Sequence, residues 1–484
     1  MTPETTEKTA FYRKWLVLLA LVWLLPGIFC GRLESGDGTR VAGIAAEMAL
    51  GNEWIVPRLN GTPFLEYPPL YYLWTGLWFR VFGICEEAAL LASILAALGT
   101  VALVWKTVLR AGGSPRTALT AGFILTTSAQ FWQECTRVRV DILLVFFVAL
   151  ALYGFVHWTG ERKSGRESVQ GFLWLSLGVA GGVLTKGLVG AVLPAAGIGG
   201  FCLADDILSR KIRFRRYMLV FAAFLTGLLP AVFWGWCLWR AEGDRALYTA
   251  AVVNNFGRFR GTQGDHASPI YEYLLRFEIF QPYLLLVPAG LVLLAKRLRR
   301  NGERTALLWI CCLLFPYGVL TLSSAKRIVY LLSLAPVSAV IAAECWEWLR
   351  ERYAVLDRLF SGKGERRILL TLLAAGLAAQ AILAAVWQVR ARDNTVADFW
   401  READGISRKE ERKIVLYRPL ERTAGAAVFY LRRTAETRSA AQPGREKELW
   451  IFRMRKSPLF QPSDRHAMFR FPEEFETWKN LDSR

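Results

Sequence analysis

Three acids and a set of cations stand out in this 484-residue chain by residue type and spacing. Asp37 precedes the stretch Gly38-Thr39-Arg40-Val41-Ala42-Gly43-Ile44-Ala45, Glu66 precedes Tyr67-Pro68-Pro69, and Asp141 opens the apolar run Ile142-Leu143-Leu144-Val145-Phe146-Phe147. A carboxylate within hydrogen-bond reach of an alcohol can take its proton. Arg258, Lys326 and Arg327 border apolar segments. Arginine suits bidentate phosphate contacts and lysine acts as a point charge. Such cations also stabilise a leaving phosphate as its charge grows.

Each candidate also has a plainer reading. Asp commonly opens a helix by capping its first amides, which would account for Asp37. Asp141 could pair with Arg137 or Arg139. Glu66 could position a substrate, bind a divalent ion or be a solvated loop acid. Arg258, Lys326 and Arg327 could snorkel to lipid headgroups. Lys186, on a short turn, faces either a substrate or Asp141. His266, one of three histidines, is either a site residue or structural.

The elements that would position these groups lie in a membrane. The chain is 54% hydrophobic, and its apolar residues fall in blocks. A bilayer-spanning helix needs about 20 mostly apolar residues. Eleven candidates lie near 15–30, 88–108, 118–131, 142–158, 171–184, 188–203, 219–239, 277–295, 305–322, 328–343 and 368–387. The net charge of +19 does not point to nucleic acid, because Lys and Arg gather at the ends of the apolar segments. With a cytoplasmic N-terminus, the inner connections carry 25 Lys and Arg; the longer outer connections carry fewer, as the positive-inside rule requires. Asp37, Glu66, Arg137, Arg139, Asp141, Lys186, Arg258, His266, Lys326 and Arg327 then share the outer face. Ionisable groups at membrane edges are costly and usually paired or functional.

The expected architecture is mainly α and polytopic, with 11–13 transmembrane helices. Residues 1–387 form the membrane domain, with loop 31–87 outside. Val41, Ile44, Ala45 and Met48 give 37–50 an amphipathic face suited to the membrane interface. Pro68 and Pro69 hold the chain extended before a second interfacial helix. That helix carries Tyr71, Tyr72, Trp74, Trp78 and Phe79, an aromatic belt. Residues 388–484 turn polar and read as a small outer α/β domain, with apolar runs at 414–417 and 449–454 around a helical stretch at 424–433. The eight cysteines show no metal-binding spacing; Cys85 and Cys135 would both be outside, as a disulfide or as two thiols. The first segment lacks an A-x-A site, so it reads as an anchored span and not a cleaved leader.

These motifs carry a resemblance. Asp37, Arg40-x-Ala42-x-Ile44-Ala45-x-Glu47-Met48, Trp54 to Gly61, and Glu66 before Pro68 to Tyr72 resemble the first outer loop of the polyprenyl-phosphate-dependent glycosyltransferases of C type. The closest are the aminoarabinose (lipid A) transferase and protein O-mannosyltransferase relatives. Further blocks match at 137–147, at Leu184-Thr185-Lys186-Gly187, within 254–274 and at 323–332, so the resemblance covers roughly 10–345. It implies transfer of a sugar from a polyprenyl phosphate to a lipid or protein acceptor by a monomer. Asp37 would be the base, with Asp141 and Glu66 in catalysis. Arg258, Lys326, Arg327 and Tyr330 would hold the donor phosphate, and Arg58, Tyr71, Arg139, Lys186 and His266 would contact substrate. The chain departs from the pattern at Tyr67, where aminoarabinose transferases typically carry Lys, at Gly38, where an acid usually follows the catalytic Asp, and at Asn255, where some relatives have a metal-binding His. No tightly held zinc is expected, and a divalent cation is left open. The rival readings are a transporter or flippase of lipid-linked sugars, or a non-catalytic binding relative.

Overall fold

The computed structural model describes residues 3–30, 33, 37–159, 165–257, 269–276, 281–324, 326–390, 396–439, 448–452, 466–470 and 476–480. The fold is mainly helical. Among the described residues, eight helices are long and apolar enough to cross a membrane: Thr6–Phe29, Glu86–Arg110, Val140–Thr159, Val189–Ser209, Phe214–Glu242, Arg304–Leu322, Ile328–Arg352 and Gly362–Val386. The other three expected segments form shorter or more polar helices, Pro115–Thr127, Gly165–Lys186 and Leu286–Asn301. The first is 13 residues long, about 20 Å at the α-helical rise. The last ends in Lys296-Arg297-Leu298-Arg299-Arg300.

Gly165–Lys186 holds its place by close packing. A side chain at Gly178 would lie 2.4 Å from the Ala151 amide of helix Val140–Thr159. Small residues that let backbones meet are the usual means of helix association in lipid. The two helices are consecutive and fold back on each other, so the first turn of one meets the last turn of the other. Asp141 and Lys186 occupy those turns. An acid at a helix N-terminus and a cation at a C-terminus each suit the local backbone dipole.

The loop after the first span folds from its motifs. Arg58–Leu59 and Thr62–Pro63 pair antiparallel. They are joined by Asn60 (φ 52°) and Gly61 (φ 84°), the positive-φ pair that a tight hairpin turn requires. Glu47 accepts a hydrogen bond from the Gly61 amide at 2.8 Å. Pro69 then starts helix Leu70–Phe82.

Helix Gly38–Gly51 is buried on more than its apolar face. Val41, Ile44, Ala45 and Met48 are buried, but so are Thr39, Arg40 and Gly43. That second face is covered by helix Glu421–Leu431, 370 residues later in the chain. The two helices meet backbone to backbone, since a side chain at Gly43 would lie 2.3 Å from the Gly425 carbonyl oxygen. Thr39 Oγ1 donates to the Arg422 carbonyl at 3.1 Å.

The C-terminal region forms a five-stranded sheet. Its strand order is Glu436–Arg438, Lys413–Tyr417, Glu448–Phe452, Glu476–Asn480, His466–Arg470. The first three run parallel and the last two antiparallel to their neighbours. Phe399, Trp400, Ile414, Leu416, Ala427 and Leu449 are among its core residues. The region grips the first loop elsewhere too. The Asn60 side-chain amide exchanges two hydrogen bonds with the Ala435 backbone (2.7 and 2.8 Å), and the Tyr430 hydroxyl donates to Glu86 at 2.8 Å.

Candidate active site

A cavity of about 380 Å³ opens where the loop after the first span meets the ends of several apolar helices. Glu66, Tyr67 and Pro68 of the loop line it, with Lys186 and Tyr330; Leu144, Val189, Val192, Leu193, Val319 and Leu320 make its walls apolar. Lys186 is buried, and its ammonium contacts the Asp141 carboxylate. The same nitrogen lies 4.4 Å from the centroid of the Tyr330 ring and 6.0 Å from that of Tyr67. A desolvated ammonium over aromatic faces gains from the ring quadrupoles. Tyr67 therefore brings no charge of its own, yet the cavity holds a cation beside it.

Two further expected cations approach from the 323–334 segment. Lys326 is buried and donates to the carbonyl of Ser323, a cavity residue, at 2.6 Å. The Arg327 backbone is pinned by the Tyr273 hydroxyl, which accepts from its amide and donates to its carbonyl, both at 3.0 Å. Arg258 and His266 lie outside the described residues.

Asp37 stands at the N-cap of helix Gly38–Gly51, but its side chain caps no amide. It faces Arg40, at 3.4 Å from Nη2. Arg40 Nη1 reaches Glu66 at 2.9 Å and Glu421 at 2.6 Å, and the guanidinium lies 5.3 Å from the Phe64 ring centroid. One buried cation thus holds the first candidate acid, outside the cavity lining, to the second, within it. Burial works to lower the Arg40 pKa, but Glu66, Asp37 and the Glu421 hydrogen bond outweigh it, so the net direction is up. Arg40 stays charged. Its signal in sequence was the i,i+3 spacing from Asp37, which puts the two on one helical face.

Three expected substrate contacts have other partners. Arg58 pairs with Glu53 at 2.8 Å and with Glu242, tying the hairpin to helix Phe214–Glu242. Tyr71 is fully buried, its hydroxyl sharing a 2.6 Å hydrogen bond with Ser93. Arg139 pairs with Glu134, as does Arg137; neither is the partner of Asp141. None of the three lines the cavity.

Asn255 closes the Lys186 turn. Its side-chain oxygen accepts from the Leu188 amide at 2.8 Å, and its nitrogen donates to Ala250 and Ala251. Among the described residues no group of three or more His, Cys, Asp or Glu could hold a metal ion. Cys85 and Cys135 are both free thiols.

Comparison with known proteins follows the same lines. Residues 66–234 match the family described as dolichyl-phosphate-mannose-protein mannosyltransferase. The undecaprenyl phosphate-alpha-4-amino-4-deoxy-L-arabinose arabinosyl transferase 1 of Sodalis glossinidius is 27% identical over 348 residues, 70% of this chain and 60% of that protein. The corresponding transferase of Pectobacterium carotovorum is 29% identical over 350 residues, 71% and 60% of the two chains. The chain thus spans about 60% of the length of these relatives. Among solved structures, ArnT from Cupriavidus metallidurans bound to undecaprenyl phosphate aligns with TM-score 0.76 at 17% identity, covering 98% of this chain and 99% of that one. The Archaeoglobus fulgidus oligosaccharyltransferase aligns with TM-score 0.52 at 14% identity, covering 88% and 64%. The chain shares the polytopic fold of ArnT over nearly its whole length, and in sequence it resembles the polyprenyl-phosphate-dependent glycosyltransferases of C type, in the aminoarabinose transferase and protein O-mannosyltransferase group.

Proposed function

We propose that this chain is an integral-membrane glycosyltransferase. It moves a sugar from a polyprenyl (undecaprenyl) phosphate to a hydroxyl or phosphate of an outer-envelope acceptor such as lipid A, another glycolipid or a protein. The observation that carries the reading is the cavity itself, which combines apolar walls, a buried ammonium at Lys186 and a carboxylate at Glu66. An apolar wall suits an isoprenoid tail, and a buried cation beside it suits the phosphate. The undecaprenyl phosphate bound in the ArnT structure has both parts.

In this reading the acceptor oxygen attacks the anomeric carbon, and the bond from that carbon to the phosphate oxygen breaks. The proton goes to Asp37, and the electron pair leaves on the phosphate. Lys186, Lys326 and Arg327 stabilise that charge, with Tyr330 beside them. Glu66 and Asp141 fix the positions of Arg40 and Lys186. The site and the C-terminal region face the periplasm, as the charge bias of the connections favours.

The test is direct. Purified protein is given polyprenyl-phosphate sugars and candidate acceptors, and products are read by mass spectrometry beside envelope glycolipids and glycoproteins from cells with and without the protein. Loss of one sugar from one acceptor in its absence is the expected result. Unchanged envelopes and no transfer in vitro would overturn the reading.

A further inference from the structure

Glu421 is the first residue of helix Glu421–Leu431, in the C-terminal region, and nothing above gives it work in the reaction. Its carboxylate lies 2.6 Å from Arg40 Nη1, the shortest of the three Arg40 ion pairs. Asp37, at 3.4 Å, is the most distant. That order matters. Arg40 is buried; its backbone packs against Gly425, and its guanidinium lies over the Phe64 ring. The guanidinium head can still choose among carboxylates. Glu66 and Glu421 share Nη1, which leaves Nη2 alone toward Asp37 at a distance too long for a strong charge-assisted hydrogen bond. The Asp37 oxygens therefore stay open to a hydroxyl proton. Without a charge at 421, the head would close on Asp37 and occupy a lone pair that a base needs.

We propose that Glu421 is a positioning residue for the reaction. Delivered by the C-terminal domain, it holds Arg40 back from Asp37, so that this domain completes the active site. The inference rests on the transferase reading. It does not require substrate to touch Glu421. Nor does it reduce to domain docking, which Asn60, Tyr430 and the Gly43–Gly425 contact also supply.

The experiment compares Glu421→Gln, Glu421→Asp and Asn60→Ala in the full-length protein. Glu421 is more than half exposed, so its substitution leaves folding intact. In Glu421→Gln, kcat falls by about 10- to 100-fold, the range for a slightly misplaced catalytic group, while KM for the donor is unchanged. Glu421→Asp keeps the charge and recovers most of the loss. Asn60→Ala loosens docking and lowers thermal stability, but keeps kcat. Equal kcat losses in Asn60→Ala and Glu421→Gln would overturn the inference, because docking alone would then explain both. A second readout needs no turnover: amide hydrogen exchange of residues 38–42 slows in Glu421→Gln, because Arg40 closing on Asp37 ties down the first helical turn. Wild-type protein that transfers no sugar defeats the transferase reading; unchanged exchange in the variant defeats this one.

Discussion

Arg40 Nη1 lies 2.9 Å from Glu66 Oε2, on the far side of the 58–63 hairpin from the helix that carries Arg40. That ion pair joins the two ends of the longest motif in the chain. It makes Asp37 and Glu66 one electrostatic unit, so neither acid can be changed without altering the charge balance of the other.

Asp37→Asn keeps the shape of the N-cap and removes the charge. A base of this kind contributes about 10²- to 10⁴-fold, so kcat falls by that factor while donor binding and thermal stability hold. A sugar-transfer assay beside a binding assay with undecaprenyl phosphate separates the two. Full transfer by the variant would remove Asp37 from the chemistry.

Arg40→Gln removes the guanidinium that three carboxylates share. Breaking a buried ion pair by removing one partner costs about 3–5 kcal/mol. A marked drop in the thermal unfolding temperature of detergent-solubilised protein is expected. Arg40→Lys recovers part of it, because an ammonium cannot fork to three acceptors.

Lys186→Met removes the buried ammonium and strands Asp141. Stability falls, and undecaprenyl phosphate binds at least about tenfold more weakly, a loss of about 1.4 kcal/mol. Adding Asp141→Asn restores stability without restoring binding. Recovery of both would assign Lys186 a purely structural place.

Gly187→Ala tests the turn that presents Lys186. Gly187 sits at φ 72°, and a methyl there would lie 2.4 Å from Asn255 Oδ1. The left-handed backbone alone costs about 1–2 kcal/mol, and the clash adds to it. Donor affinity drops with stability, and Asn255→Gly in the same chain relieves the steric part, as calorimetry and binding would show.

Much of this was legible in the residues. The apolar blocks mark the spanning helices, and Pro68-Pro69 marks a helix start. Asp37, Glu66, Lys186 and Tyr330 could be singled out because acids, cations and motif spacing at apolar borders are local signals. Arg40 needed more, since its three partners include Glu421, 381 positions away. The pairing of Arg58 with Glu242 is as remote, with the two 184 positions apart. Tyr71 was read as interfacial because a tyrosine on an aromatic helix looks alike whether its hydroxyl meets lipid headgroups or, as here, Ser93. The burial of Gly38–Gly51 on both faces was invisible locally, because small residues such as Thr39, Gly43 and Ala46 are common on exposed helices as well.

The contact of Gly43 with Gly425 carries a lesson about lineage. A helix notch that accepts another backbone is useful only while that backbone is there. A relative that had lost its last hundred residues would expose a bare groove of peptide groups at this spot, and selection would fill it with a larger side chain. The size of the amino acid at this one position should therefore track, across diverged sequences, whether the distal module is still attached.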